Sequence, residues 1–156
     1  MKKIIILLIS ILIDGLITNI TLYNFNNITY FMPMCTVVSL IFLYEDKDFL
    51  KLYLISSIVY GTLYMNNLLF PFILFFIVIS FIKLLDKINN NCFIILIKII
   101  LVILLYDGIY FIFNSLINNT FILNNYIYKI EHSLILNLIY GVILYNITKK
   151  SSKFNY

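Results

Sequence analysis

Arginine, alanine, glutamine and tryptophan are absent from this 156-residue chain; histidine occurs once, cysteine and proline twice each, and glycine four times. Each scarcity removes a class of function. One histidine, His132, and two distant cysteines, Cys35 and Cys92, cannot supply the four ligands that a structural zinc site takes. Without CxxC spacing the cysteines carry no redox motif, and they read as small apolar thiols in packed segments. No GxSxG, HExxH or glycine-rich phosphate loop occurs, so neither a catalytic constellation nor a cofactor is expected. The missing residue types, beside abundant Ile, Asn, Lys, Phe and Tyr, look like the bias of an AT-rich genome. A lone Asn, or a Lys in place of Arg, therefore carries little information.

Charged residues are also scarce, at 12%, while 63% of the chain is hydrophobic and the mean hydropathy is +1.03. Soluble domains are about 45–50% apolar, so a soluble fold is excluded and the bilayer becomes the solvent. Six apolar segments emerge: Ile4–Tyr23, Ile28–Tyr44, Phe49–Tyr64, Leu68–Leu85, Phe93–Ile117 and Ile130–Ile147. Backbone groups in lipid must be paired within a segment or a closed barrel. Barrel strands alternate apolar and polar residues, whereas Phe72–Ile79 and Ile94–Ile97 are apolar throughout. The expected fold is thus an all-α membrane protein, a single integral domain of six transmembrane helices over residues 1–156. The start, Lys2-Lys3 followed by Ile4 to Ile13, mimics a signal peptide, but no small-x-small site follows and the apolar pattern resumes past Asp14. A retained first helix is expected.

The eleven lysines orient the bundle. Nine of them, Lys2, Lys3, Lys47, Lys51, Lys83, Lys87, Lys149, Lys150 and Lys153, fall at the termini or beside the second and fourth gaps; only Lys129 falls in the other gaps. This positive-inside pattern places both termini in the cytoplasm. Lys98 lies about one and a half turns inside the fifth helix and can snorkel to that boundary. The lysines form no basic face, so no nucleic-acid partner is expected. Residues 120–130, rich in Phe, Ile, Leu and Tyr, suit an interfacial segment between the last two helices.

Asp14 and Asp107 sit near the middle of predicted helices, where an acid costs roughly 2.5–3.5 kcal/mol to insert, so each must face protein or water. Ser10, Asp14 and Thr18, with Gly15 alongside, make a stripe on the first helix. Tyr53, Ser57, Gly61 and Tyr64 make one on the third, and Ser133, Asn137, Gly141 and Tyr145 one on the sixth. On the fifth, Asp107 shares a face with Gly108, Phe111, Asn114 and Ser115. Such faces pack against one another, which favours a structural role for both acids over proton transfer. The fourth helix, apolar from Phe72 to Val78, is expected mostly against lipid. Pro33 and Pro71 open the second and fourth helices.

The order of these features resembles the rod shape-determining membrane protein family MreD. The likeness runs through Asp14-Gly15 in the first helix, Tyr30-Phe31-Met32-Pro33 before the second, Tyr60-Gly61 in the third, and His132-Ser-Leu-Ile-Leu-Asn137-Leu-Ile-Tyr-Gly141 in the last. One position departs: Met65 stands where members often carry an aspartate four residues after the third-helix glycine. The resemblance implies a non-enzymatic plasma-membrane subunit of the bacterial elongation machinery that binds MreC. Through that complex it would serve MreB, the glycan polymerase RodA and a class B penicillin-binding protein. Its packing or partner contacts would involve Asp14, Gly15, Pro33, Gly61, Asp107, Asn137 and Gly141. The family's six-helix fold is similar to the S-component of energy-coupling-factor transporters, and a vitamin-binding S-component is the alternative function. That alternative lacks the small, often alanine-lined docking face usual on the first helix of an S-component.

Overall fold

A computed structural model describes residues 2–24, 34–65, 68–88, 91–118 and 123–152. Among these residues there is no strand. They form six α-helices: α1 (Lys2–Asn24), α2 (Cys35–Leu43), α3 (Phe49–Tyr60), α4 (Leu69–Asp86), α5 (Cys92–Asn118) and α6 (Leu123–Ser152). A single 3₁₀ turn, Asp46–Asp48, precedes α3, and a π-helical turn, Gly61–Met65, follows it. Three helical stretches, Leu69–Asp86, Phe93–Ile117 and Ile130–Thr148, are long and apolar enough to cross a membrane. At 1.5 Å per residue, even the shortest approaches the roughly 30 Å hydrocarbon core.

The short helix α2 is the central post. Seven of its nine residues are buried, and it packs against α1, α4, α5 and α6. Around it α5 lies along α6, α4 along α5, and α3 along α4. The core joins Leu7 and Ile11 of α1 to Val37, Val38 and Leu40 of α2, Leu74, Phe75 and Val78 of α4, and Ile99, Val102 and Ile103 of α5. Large apolar side chains also cover the outside, among them Leu69, Phe93, Leu116 and Leu50. Exposed apolar side chains in such number are costly in water and suited to lipid.

Helix α4, expected mostly against lipid, has two faces. Phe70, Pro71, Leu74, Phe75, Val78, Ile79 and Ile82 form a fully buried face, whereas Leu69, Ile73, Phe76, Ile77 and Leu84 face outward. Lipid and protein core are equally apolar, so a helix with both kinds of neighbour shows no contrast in its sequence. Aromatic contacts fasten this face: Phe75 meets Tyr60 of α3 and Tyr106 of α5, and Phe70 stacks on Phe113 with centroids 4.0 Å apart.

Two further boundaries differ from the sequence expectation. Helix α6 runs unbroken from Leu123 to Ser152, so residues 123–129 are continuous with it, while residues 120–122 of the expected interfacial segment lie outside the described residues. Helix α2 begins at Cys35, because Met34 lies at φ −130°, ψ 38°, outside the helical region. Pro33 and the proposed first turns of that helix lie outside the described residues.

One end of the bundle gathers charge. Lys3 of α1 pairs with Glu45 at 2.5 Å and Asp48 at 3.0 Å, Lys47 pairs with Glu45 at 3.1 Å, and Lys83 of α4 pairs with Asp46 at 2.9 Å. The α2–α3 turn thus ties the start of α1 to the end of α4. Exposed pairs add little stability singly, but they set which helix ends lie together.

Candidate functional site: a helix start capped by its neighbours

A helix leaves its first N–H groups without intrahelical acceptors, and in a buried setting something else must take them. At α2 the acceptors come from two other helices. Asp14 of α1 takes the Cys35 N–H on Oδ1 at 2.7 Å, and the Thr36 N–H on Oδ2 at 2.9 Å. The Thr36 hydroxyl donates to the same Oδ2 at 2.6 Å. Asn137 of α6 accepts the Met34 N–H on Oδ1 at 2.7 Å, and donates from its amide nitrogen to the Ser133 carbonyl at 2.6 Å. That second bond fixes which way the amide points. Asp14 is 3% exposed and Asn137 not at all.

These bonds decide what Asp14 does. Hydrogen bonds to a charged group contribute about 1.5–3 kcal/mol each, so three of them offset the roughly 2.5–3.5 kcal/mol cost of placing an acid there. The positive end of the α2 dipole adds to the same side. Both carboxylate oxygens are committed to holding α2 against α1, which is a structural task.

The rest of the cluster extends this seam. Ser10 shares a 2.8 Å hydrogen bond with the Tyr140 hydroxyl, joining α1 to α6. The Tyr64 hydroxyl, carried on the π turn beyond Gly61, donates to the Ile11 carbonyl at 2.5 Å. Gly15 makes room for that tyrosine: a Cβ there would overlap the Tyr64 phenol. Gly141 does likewise on α6, where a Cβ would run into the Ile99 side chain. Gly61 is buried where α3 widens into the π turn.

Asp107 stands apart from the cap. It is fully buried on α5, and its Oδ2 is 3.4 Å from the Ser133 hydroxyl, which bonds more closely to the Ile130 carbonyl at 3.0 Å. The Lys98 ammonium donates to the Ile88 carbonyl at 2.9 Å, just past the end of α4.

Of the seven residues singled out from sequence, Asp14 and Asn137 meet on α2. Gly15 and Gly141 admit side chains from neighbouring helices, Gly61 adjoins the Tyr64 link, Asp107 touches Ser133, and Pro33 lies outside the described residues. Sequence reasoning missed Thr36 and the backbone N–H groups of Met34 and Cys35. Among the described residues no three of His, Cys, Asp and Glu come together in a way that could hold a metal ion.

Among the described residues these features define an all-helical fold with three helices long and apolar enough to cross a membrane and a buried polar cap. Comparison with protein-family models, curated proteins and solved structures found no match.

Proposed function

We propose that the chain is a non-catalytic, multi-pass subunit of the bacterial cell-elongation machinery, related to MreD. On this reading it crosses the plasma membrane six times with both termini in the cytoplasm, and its fold is arranged like an S-component. It binds MreC, and through MreC it supports MreB, RodA and a class B penicillin-binding protein in peptidoglycan synthesis. The observation that carries the reading is the use of Asp14. The intramembrane acid of the Asp14-Gly15 pair, the residue best placed for chemistry, has both oxygens taken up by the α2 cap. Binding to other membrane proteins is then the simplest remaining task for so apolar a chain.

Support for the orientation comes from the lysine distribution, nine against one, and from the gathering of Lys3, Lys47 and Lys83 at one end of the bundle. Against the transporter alternative stands the outer face of α1. It presents Ile5, Leu8, Ile9, Leu12 and Leu16, bulky side chains rather than the small ones of an S-component docking helix. The test is depletion of the protein in its own bacterium. Rounded or widened cells, restored by the wild-type chain, are expected; depleted cells that keep their rod shape but lose uptake of a vitamin would overturn the reading.

A further inference from the structure

A cavity of about 380 Å³ opens among α2, α4, α5 and α6 at the lysine-rich end of the bundle. Ligand sites run from about 300 to 1,000 Å³, so this one suits a small group. Its floor is apolar, with Ile82 of α4 and Val102 of α5, and its polar lining is unusual for a membrane bundle. Lys98 of α5 and Asp86, in the last turn of α4, both line it, and Tyr145 and Thr148 of α6 add hydroxyl groups. Lys98 is 4% exposed. An ammonium in such a place is costly unless compensated, and here its bond to the Ile88 carbonyl holds it beside the negative end of the α4 dipole. The cation is thereby fixed in the wall, while Asp86 is exposed.

We infer that this cavity binds a zwitterionic phosphate–ammonium group, with the phosphate on Lys98 and the amine on Asp86. Lys98 and Asp86 attract each other within this lining, so a simple anion would meet the Asp86 carboxylate and a simple cation would meet Lys98; a ligand carrying both charges complements the pair. The apolar floor accepts the carbon skeleton attached to it. Phosphatidylethanolamine of the adjoining leaflet and soluble phosphoethanolamine share this chemistry. The inference needs only that the helices lie in a bilayer, and it stands apart from the role in cell elongation.

The test uses the full chain, purified from membranes and exchanged into micelles containing equal phosphatidylethanolamine and phosphatidylglycerol, with retained lipid read by native mass spectrometry. The wild type is expected to keep phosphatidylethanolamine over phosphatidylglycerol by about tenfold, the size of one charge-assisted contact. Lys98→Met should abolish retention of both. Asp86→Asn changes an exposed side chain and should fold normally, yet it should erase or reverse the preference between the two lipids. Displacement by millimolar phosphoethanolamine would support a soluble source, and resistance to it a lipid source. Equal retention of the two lipids by the wild type, or an unchanged preference in Asp86→Asn, would overturn the inference.

Discussion

Replacing Asp14 separates a structural acid from a chemical one. Asp14→Leu leaves the N–H groups of Cys35 and Thr36 without their acceptors. A buried donor left unsatisfied costs about 1–3 kcal/mol, so the two together should weaken the fold by about 2–6 kcal/mol. The Thr36 hydroxyl can rotate and adds less. Asp14→Asn keeps one carbonyl oxygen and turns the other acceptor into a donor, which loses one of the backbone bonds and costs about 1–3 kcal/mol. Leucine should at the same time ease membrane insertion of α1, since it removes an acid that costs roughly 2.5–3.5 kcal/mol. The assay is reversible unfolding by dodecyl sulfate in mixed micelles, followed by circular dichroism, alongside an insertion assay on α1. Expected are better insertion and poorer stability for Leu, with Asn between Leu and wild type. A Leu variant as stable as wild type, or Asn and Leu equally damaging to stability and to function, would refute the capping role.

Four more outcomes follow from the structure and from the lysine distribution. Gly141→Ala should destabilise by about 1–2 kcal/mol, because the fully buried Ile99 must leave its rotamer. Gly15→Ala should be nearly neutral, since Tyr64 is 38% exposed and can swing aside, trading a bond worth about 1 kcal/mol for a similar gain in helix propensity; the reverse order in the unfolding titration would contradict the packing described. At the charged turn, hydrogen bonds from Lys3 and then Lys47 hold Glu45 below its ordinary 4.5, and Lys83 and then Tyr44 hold Asp46 below 3.8. For Lys3, burial lowers its value but the bonds to Glu45 and Asp48 outweigh it, leaving it above 10.5. Carboxylates with depressed values stabilise the fold above their unfolded values and lose that contribution as pH falls through the folded ones. The lysine contribution is present below 10.5 and is lost as pH rises through its raised value. Unfolding midpoints should therefore fall at both pH extremes, and Glu45→Gln should flatten the acid limb; an acid limb unchanged in that variant would show that the turn contributes nothing. For topology, cysteines placed at Asn26, Asn66 and Asn124, in a background lacking Cys35 and Cys92, should label from outside the cell, and one at Ser152 should not. External labelling of position 152 would invert the bundle.

Legibility in the sequence depended on contrast. The α6 stripe was readable because Ser133, Asn137 and Gly141 interrupt apolar residues every fourth position, and all three are buried. Ser10, Asp14 and Gly15 were readable on α1 for the same reason. The partner of Asp14 was hidden because it is mainly backbone, and an N–H group has no letter of its own. Asn137 gave the same difficulty: its spacing marked an inward face, but nothing in the sequence pointed its oxygen at Met34. The two-faced packing of α4 was hidden because leucine reads the same against lipid as against Phe75. The Lys98 cavity needed four helix ends brought together, a relation that no single segment encodes.

The most direct measurement of the proposed role is affinity purification of the tagged chain from native membranes in mild detergent, with identification of what accompanies it. MreC in stable association is the expected result. Recovery with an energy-coupling ATPase module and a stoichiometric bound vitamin, without MreC, would contradict it.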